Sequence, residues 1–263
     1  MSSRQKAILF CLLVLFCLNS LAWFAVYLAT QAPTLKVFFF DVGQGSSVFI
    51  ETPGKTQILV DGGPSAKVLE KLAKAMPFFD RQIDLIISTH PDFDHLAGLV
   101  ETLKSYQVER VAWTGVIGQT AEFREFMKEA EKEQAEKIIL KRGERIRVGN
   151  NLVIDVLAPV EDFEGKTAKD TNSSSLVLRV SYGQEHFLLT GDAPSSVEKK
   201  LVEAGDELQS QVLQVGHHGS KYSTSQAFLE KVEPELAVIQ VGKDNRYGHP
   251  DLSVLERLKN YGI

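Results

Sequence analysis

Beyond residue 17 the sequence contains no cysteine; Cys11 and Cys17, both inside one apolar run, are the only two in 263 residues. A disulfide framework and a thiolate metal site are thereby excluded from the rest of the chain. Long blocks of one charge sign are also lacking: the formal charge of −5 is spread through mixed-sign segments. That argues against a broad electrostatic footprint for nucleic acid and leaves room for a local basic groove. Neither a coiled-coil heptad nor a solenoid repeat is present. The apolar share of 44% is ordinary for a chain that buries a full core, so disorder is not the expectation.

From Ala7 to Ala29 the chain is apolar except for Asn19 and Ser20, and Arg4 and Lys6 precede it. A helix crosses a hydrocarbon core with roughly 20 residues. A cleaved secretory signal has a shorter apolar stretch, about 7–15 residues, ending at a small-residue site. An uncleaved signal anchor is the better reading. The expected division is a basic tip over 1–6, a transmembrane helix over 7–29, a linker over 30–34 and one domain over 35–263. The basic flank puts the tip in the cytoplasm and the domain outside, as a single-pass protein of the cell membrane.

Lys36 to Val42, Ser46 to Glu51 and Thr56 to Asp61 read as strands, the last two joined by a Pro53-Gly54 turn. Helical spacing follows over Pro64 to Met76, then the apolar strand Ile83 to Ser88 and a helix from Leu96 to Ser105. Ala121 to Ala135 suits an exposed amphipathic helix. Strands are expected at Arg145 to Val148, Asn151 to Leu157, Leu176 to Tyr182 and Glu185 to Thr190. Helix Ser195 to Ala204, strand Val212 to Val215, helix Ser225 to Val232, strand Leu236 to Gln240 and helix Leu252 to Asn260 complete the order. Runs of strands and helices thus occur twice, which suggests two sheet-plus-helix layers packed face to face in an α/β fold.

Five of the six histidines, His90, His95, His217, His218 and His249, sit at expected strand ends beside Asp or Gly; only His186 lies inside a strand. The densest segment is Ser88-Thr89-His90-Pro91-Asp92-Phe93-Asp94-His95, where four imidazole or carboxylate groups fall within six residues. Burying them together is costly unless a cation neutralises the carboxylates. His90 and Asp92 point one way while Asp94 and His95 lie around the bend, a spacing that favours two metal ions over one.

At this point the sequence resembles the metallo-β-lactamase superfamily, whose signature here is His-x-His-x-Asp-His, and within it the C-terminal domain of ComEC-type competence proteins. The resemblance runs from about Lys36 to the C-terminus. Its pieces are Asp41-Val42-Gly43-Gln44-Gly45, Asp61-Gly62-Gly63, the histidine loop, Asn172 to Leu178, Thr190-Gly191-Asp192, His217-His218-Gly219-Ser220 and Asn245 to Pro250. It implies an αββα four-layer sandwich and a metal set of His90, Asp92, Asp94, His95, Asp192 and the His217/His218 pair. Asp192 falls where the superfamily bridges two metals with a carboxylate. Of the two adjacent histidines one is expected to bind metal and the other to meet substrate; the sequence does not say which.

Two departures stand out. Asp92 occupies the place of the second signature histidine, and no histidine fills the third motif, where Asn172 and Ser173 stand. A first site poorer in nitrogen shifts preference from zinc toward manganese or magnesium. The chain also stops at Tyr261-Gly262-Ile263, where ComEC-type domains continue into a closing strand pair, so an edge of the second sheet is expected to be missing. The resemblance implies a metal-dependent phosphodiesterase with two divalent ions. Asp94 and His249 are expected in catalysis, and Asn172, Ser220 and Lys221 at the substrate. DNA outside the membrane is the leading substrate. A cell-envelope phosphoester, or a non-catalytic DNA-binding or scaffold module, is the alternative; protein partners are not indicated.

Overall fold

The computed structural model describes residues 2–30, 34–149 and 151–263. Most of the expected linker, residues 31–33, and Met1 of the basic tip lie outside the described residues. The chain divides into Met1–Thr34 and Leu35–Ile263, which are described separately.

The first unit is one helix, α1 (Ser3–Thr30), longer at both ends than the expected span. Neither glycine nor proline interrupts it, so nothing breaks the ladder of hydrogen bonds. Its segment Ser3–Val26 is long and apolar enough to cross a membrane.

The second unit opens with β1 (Lys36–Phe39), β2 (Val48–Glu51) and β3 (Gln57–Val60), antiparallel neighbours in that order. The Pro53-Gly54 turn pairs Glu51 with Gln57 and fixes the β2–β3 register. Then come α2 (Lys67–Ala75), β4 (Gln82–Ile87), α3 (Phe93–Ser105), β5 (Gln107–Trp113), α4 (Ala121–Lys132) and β6 (Glu136–Ile139). From β3 to β6 the neighbours are parallel, giving a six-stranded sheet in sequence order. Strands β5 and β6 went unassigned in the sequence reading. Gln107, Glu109, Arg110, Glu136 and Lys137 are exposed and dilute the apolar alternation on this flank of the sheet.

The second half repeats the plan. Strands β7 (Arg145–Val148), β8 (Leu152–Ala158), β9 (Val177–Tyr182) and β10 (Glu185–Leu189) form an antiparallel run. After α5 (Ser195–Ala204), β11 (Val212–Gln214) joins β10 in parallel; after α6 (Gln226–Val232), β12 (Leu236–Val238) joins β11. Helix α7 (Leu252–Asn260) follows. The sheet order is β12-β11-β10-β9-β8-β7.

Three apolar interfaces hold four layers together. Phe49, Leu59 and Ile86 face Leu72, Leu96, Leu99 and Phe126 of the first helix layer. Val48, Ile50, Ile58 and Val60 meet Leu152, Ile154, Leu178 and Val180 between the sheets. Leu188, Leu213 and Val177 pack on Leu201, Phe228 and Val254 of the second helix layer. Along β2 and β3 successive residues alternate between the first two interfaces, as a strand buried on both faces requires. The architecture is the expected αββα sandwich.

Candidate metal centre

Strands β3, β4, β10, β11 and β12 all end at one edge of the sandwich, and the residues following each end are Asp61, His90, Asp192, His217 with His218, and Gln240. In open α/β sheets this carboxyl edge is where ligands bind, because backbone groups and loops there are free of the ladder.

The histidine segment does not stay a loop. Helix α3 begins at Phe93, three residues before the expected start, so Asp94 and His95 sit in its first turn and Asp92 is its N-cap. The Asp92 side chain takes no capping hydrogen bond and lies 3.7 Å from His90 Nε2 instead. A close backbone contact sets the position of that turn. Gly62 N donates to His95 O (2.7 Å) and Gly98 N to Gly63 O (2.8 Å). A Cβ on Gly98 would stand 1.9 Å from Gly62 O, so only glycine lets the two backbones meet.

That contact brings the Asp61 carboxylate under His95. One oxygen, Oδ2, lies 2.7 Å from His95 Nδ1 and accepts from Thr89 Oγ1 (2.7 Å); the other accepts from Thr89 N (2.8 Å). His95 Nε2 is thereby turned to Asp192 Oδ1, 3.0 Å away. On the other side His218 Nε2 lies 3.2 Å from Asp94 Oδ2 and 3.4 Å from Asp192 Oδ2, while its Nδ1 sits 2.8 Å from Gln240 O. His90 Nε2 is 3.9 Å from Asp192 Oδ2 and its ring centroid 4.2 Å from that of His95.

Two overlapping groups result, His90 with His95 and Asp192, and Asp94 with His95 and His218. The Nε2 atoms of His90, His95 and His218 and the Oδ1 of Asp192 are buried without a hydrogen-bond partner among the described residues, although nitrogen and oxygen lie close. Four unsatisfied buried polar atoms facing one another are expensive for the protein alone. Cations accepting those lone pairs remove the penalty, so the donor set fits divalent metal.

The charges reinforce one another. Burial pushes His95 down, but the carboxylates of Asp192 and Asp61 outweigh it and hold the imidazole well above its ordinary range. Burial would raise Asp192, yet His95, His218 and His90 hold it well below the usual carboxylate range. Burial likewise opposes the shift of Asp94, which His218 and His95 carry downward. His90 is pushed down, first by burial and then by His95.

The histidine pair is separated by its backbone. His217 (φ 49°) and His218 (φ 55°) are both left-handed, a conformation that costs a non-glycine residue about 1–3 kcal/mol and marks functional loops. The side chain of His218 is 2% exposed and that of His217 28%, its Nε2 3.8 Å from Asp192. His249 packs its ring 5.8 Å from that of His217, and Asn245 clamps its backbone N–H and C=O. Its Nδ1 is buried and unpartnered, and burial followed by His217 and His218 lowers its pKa.

The remaining expected residues lie around this cluster. Asn172 is in a short 3-10 turn, Thr171–Ser174, tied to the histidine segment by Leu176 N donating to Thr89 O (3.0 Å); its Oδ1 is buried and unpartnered. Ser220 is buried in the turn after His218, its Oγ accepting from Tyr222 N. Lys221 is exposed with its ammonium 5.2 Å from the Tyr222 ring centroid. His186 stays apart, its Nδ1 3.0 Å from Ser181 Oγ. Sequence reading missed Thr89 and Gln240, and gave Asp61 no task; the Asp61-Gly62-Gly63 triplet at a strand end was the available signal for the last.

The metallo-beta-lactamase superfamily model matches residues 40–243, which span the strands, the histidine segment, Asp192 and the His217/His218 turn. The chain belongs to the metallo-beta-lactamase superfamily. Members of this superfamily are generally metal-dependent hydrolases. Two relatives are ComE operon protein 3 of Bacillus subtilis, 31% identical over 87% of this chain, and competence protein ComA of Neisseria gonorrhoeae, 31% identical over 92%. The match spans only 31% and 32% of those proteins' own length. The metallo-beta-lactamase fold is also that of YhfI from Bacillus subtilis, with a TM-score of 0.54 at 15% identity, covering 88% of this chain and 91% of that one.

Proposed function

We propose that this chain is a two-metal phosphodiesterase that cleaves DNA outside the membrane to which α1 anchors it. The carrying observation is the pair of overlapping histidine-carboxylate groups whose buried nitrogens have no hydrogen-bond partner among the described residues. In this reading His90, Asp92 and Asp192 hold one ion, Asp94, His95 and His218 hold the other, and Asp192 stands between. When bound, two divalent ions supply Lewis acidity at both the attacking and the leaving oxygen and acidify a water to about pKa 7. One imidazole among three ligands at the first site suits manganese or magnesium as well as zinc.

The protein's own groups do the rest. Asp94, partly exposed at the start of α3, orients the attacking water. His249, whose pKa burial and then His217 and His218 lower, offers a ring N–H as a hydrogen bond to the leaving oxygen, with His217 beside it. Asn172, Ser220 and Lys221 border the substrate.

The rim supports a nucleic acid. Phe93, between the ligands Asp92 and Asp94, is exposed, as are Tyr222 and Tyr247. Lys221 lies over Tyr222, Arg246 lies over Tyr247, and Tyr247 stacks on His249 at 5.9 Å. Aromatic faces paired with cations take bases and phosphates together, at about 1–3 kcal/mol per stacked base. The relative named competence protein ComA points the same way. Arg4 and Lys6 before the apolar segment support a single pass with residues 35–263 outside.

The test is cleavage of single- and double-stranded DNA and of a generic aryl phosphodiester by the full chain in detergent, with manganese, zinc or no metal, beside Asp94→Ala. Metal-dependent cleavage lost in the variant is expected. Turnover of the aryl ester without DNA would point to a cell-envelope phosphoester; no turnover in folded, metal-loaded protein would point to a scaffold.

A further inference from the structure

The metal centre occupies the carboxyl ends of the parallel strands; the opposite edge of the first sheet carries a different feature. The turn between α2 and β4, Met76 to Arg81, presents Phe78 and Phe79, 85% and 75% exposed, their rings edge to face with centroids 5.3 Å apart. Among the described residues they are the two most exposed large apolar side chains of Leu35–Ile263. Rings displayed so fully are not core residues, and nothing in the fold requires them at a tight turn.

The register shows what shares that edge. Lys36, the first residue of β1, pairs with Glu51; Glu51 pairs with Gln57; and Gln57 donates to Asp80 (2.7 Å) and Asp84 (2.6 Å) on either side of Arg81. The point where the chain enters the domain and the Phe78-Phe79 turn are therefore joined by one run of neighbours. Residues 31–35, between the end of α1 and the start of β1, reach about 20 Å at full extension. At this edge Lys74 and Arg81 have no acidic partner among the described residues, while Lys36 and Lys55 share the single carboxylate of Glu51, and Asp80 and Asp84 accept from Gln57.

We infer that Phe78 and Phe79 insert into the surface of the same bilayer that holds α1, giving the domain a second membrane contact and pointing the metal centre away from the membrane. This rests on the reading of α1 as a membrane anchor. Two phenyl rings flanked by cations match the apolar-to-polar boundary of an anionic bilayer. A short tether makes the contact intramolecular, so a patch too small to hold a free domain suffices here. The outcome for the site is orientation: substrate is met from the aqueous side.

Nitroxide labels on the full chain in vesicles containing phosphatidylglycerol test this by collision with oxygen, which concentrates in lipid, against a water-soluble nickel chelate. One label goes on Cys17 with Cys11→Ser; the others go on Phe79→Cys and Tyr222→Cys, each in a Cys11→Ser/Cys17→Ser background. Expected are lipid-like accessibility at Cys17 and at position 79, and water-like accessibility at position 222. Water-like accessibility at 79 with lipid-like accessibility at Cys17 would overturn the docking while leaving the anchor intact. Water-like accessibility at Cys17 would overturn both. Neither readout depends on turnover, so the hydrolase reading stands or falls separately.

Discussion

Asp61 Oδ2 lies 2.7 Å from His95 Nδ1, with Thr89 donating to both oxygens of the same carboxylate. The bond fixes the tautomer and the ring orientation of His95, turning Nε2 toward the candidate metal cluster. Such outer partners are worth about 10–100-fold in metal affinity. Asp61→Asn keeps a residue tolerant of the left-handed backbone at φ 57° and removes the charge. It is expected to weaken manganese or zinc binding by about that factor with little change in fold, read by calorimetric titration and circular dichroism.

Gln240 is a second prediction. Its Nε2 donates to Phe40 O (2.9 Å) and Ser47 O (2.8 Å), its Oε1 accepts from Gln214 (2.8 Å), and its backbone oxygen faces His218 Nδ1. It therefore ties the first sheet to the second directly beneath the cluster. Gln240→Ala leaves Phe40 O and the Gln214 side-chain N–H without their partner, while Ser47 O keeps Phe40 N; each stranded group costs about 1–3 kcal/mol. Chemical denaturation should show a loss of about 2 kcal/mol or more, since Phe40 and Gln214 are both buried.

Metal should stabilise the protein. If the buried imidazoles are ligands, a cation at 100 times its dissociation constant adds about 2.7 kcal/mol. For a domain of this size that is roughly 5–10 °C in melting temperature. Wild type should show the shift with manganese or zinc and lose it to a chelator. Asp192→Asn, which removes the carboxylate that faces His90, His95 and His218, should show little of it. An equal shift in the variant would place the ions elsewhere.

Glu51 gives a pH dependence away from the metal. Its side chain is buried, and although burial raises its pKa, Lys36 and Lys55 outweigh that and hold it below the ordinary range. A carboxylate lowered on folding stabilises the protein above its unfolded pKa, about 4.3, and loses that contribution as pH falls through the folded value. Glu51→Gln should therefore lower the melting temperature at neutral pH. The gap to wild type should close progressively below about pH 4.3.

Much of this protein was legible along the chain. Apolar alternation over Val48 to Val60 and helical spacing in Ser195 to Ala204 and Leu252 to Asn260 reflect burial that local sequence must satisfy, so those elements fall where periodicity puts them. The density of His90 to His95 marked a candidate cation site because burying such a set unpaired is costly. Strands β5 and β6 were not legible: exposed charges interrupt their pattern, and parallel pairing of β5 with β4 and of β6 with β5, not local preference, makes them strands.

The residue sequence by itself determined the apolar helix, the two-layer repeat and the kinds of ligand present. Only the tertiary structure separated His218 from His217. Two consecutive left-handed residues turn one ring onto Asp94 and Asp192 and leave the other beside His249, and adjacency in sequence carries no direction. The tertiary structure likewise gave Asp61 its place beneath His95, through a glycine-to-glycine backbone contact between positions 36 residues apart, Gly62 and Gly98. Metal sites are assembled at strand ends that are distant along the chain, so their ligand types are written locally while their geometry belongs to the packed sheets.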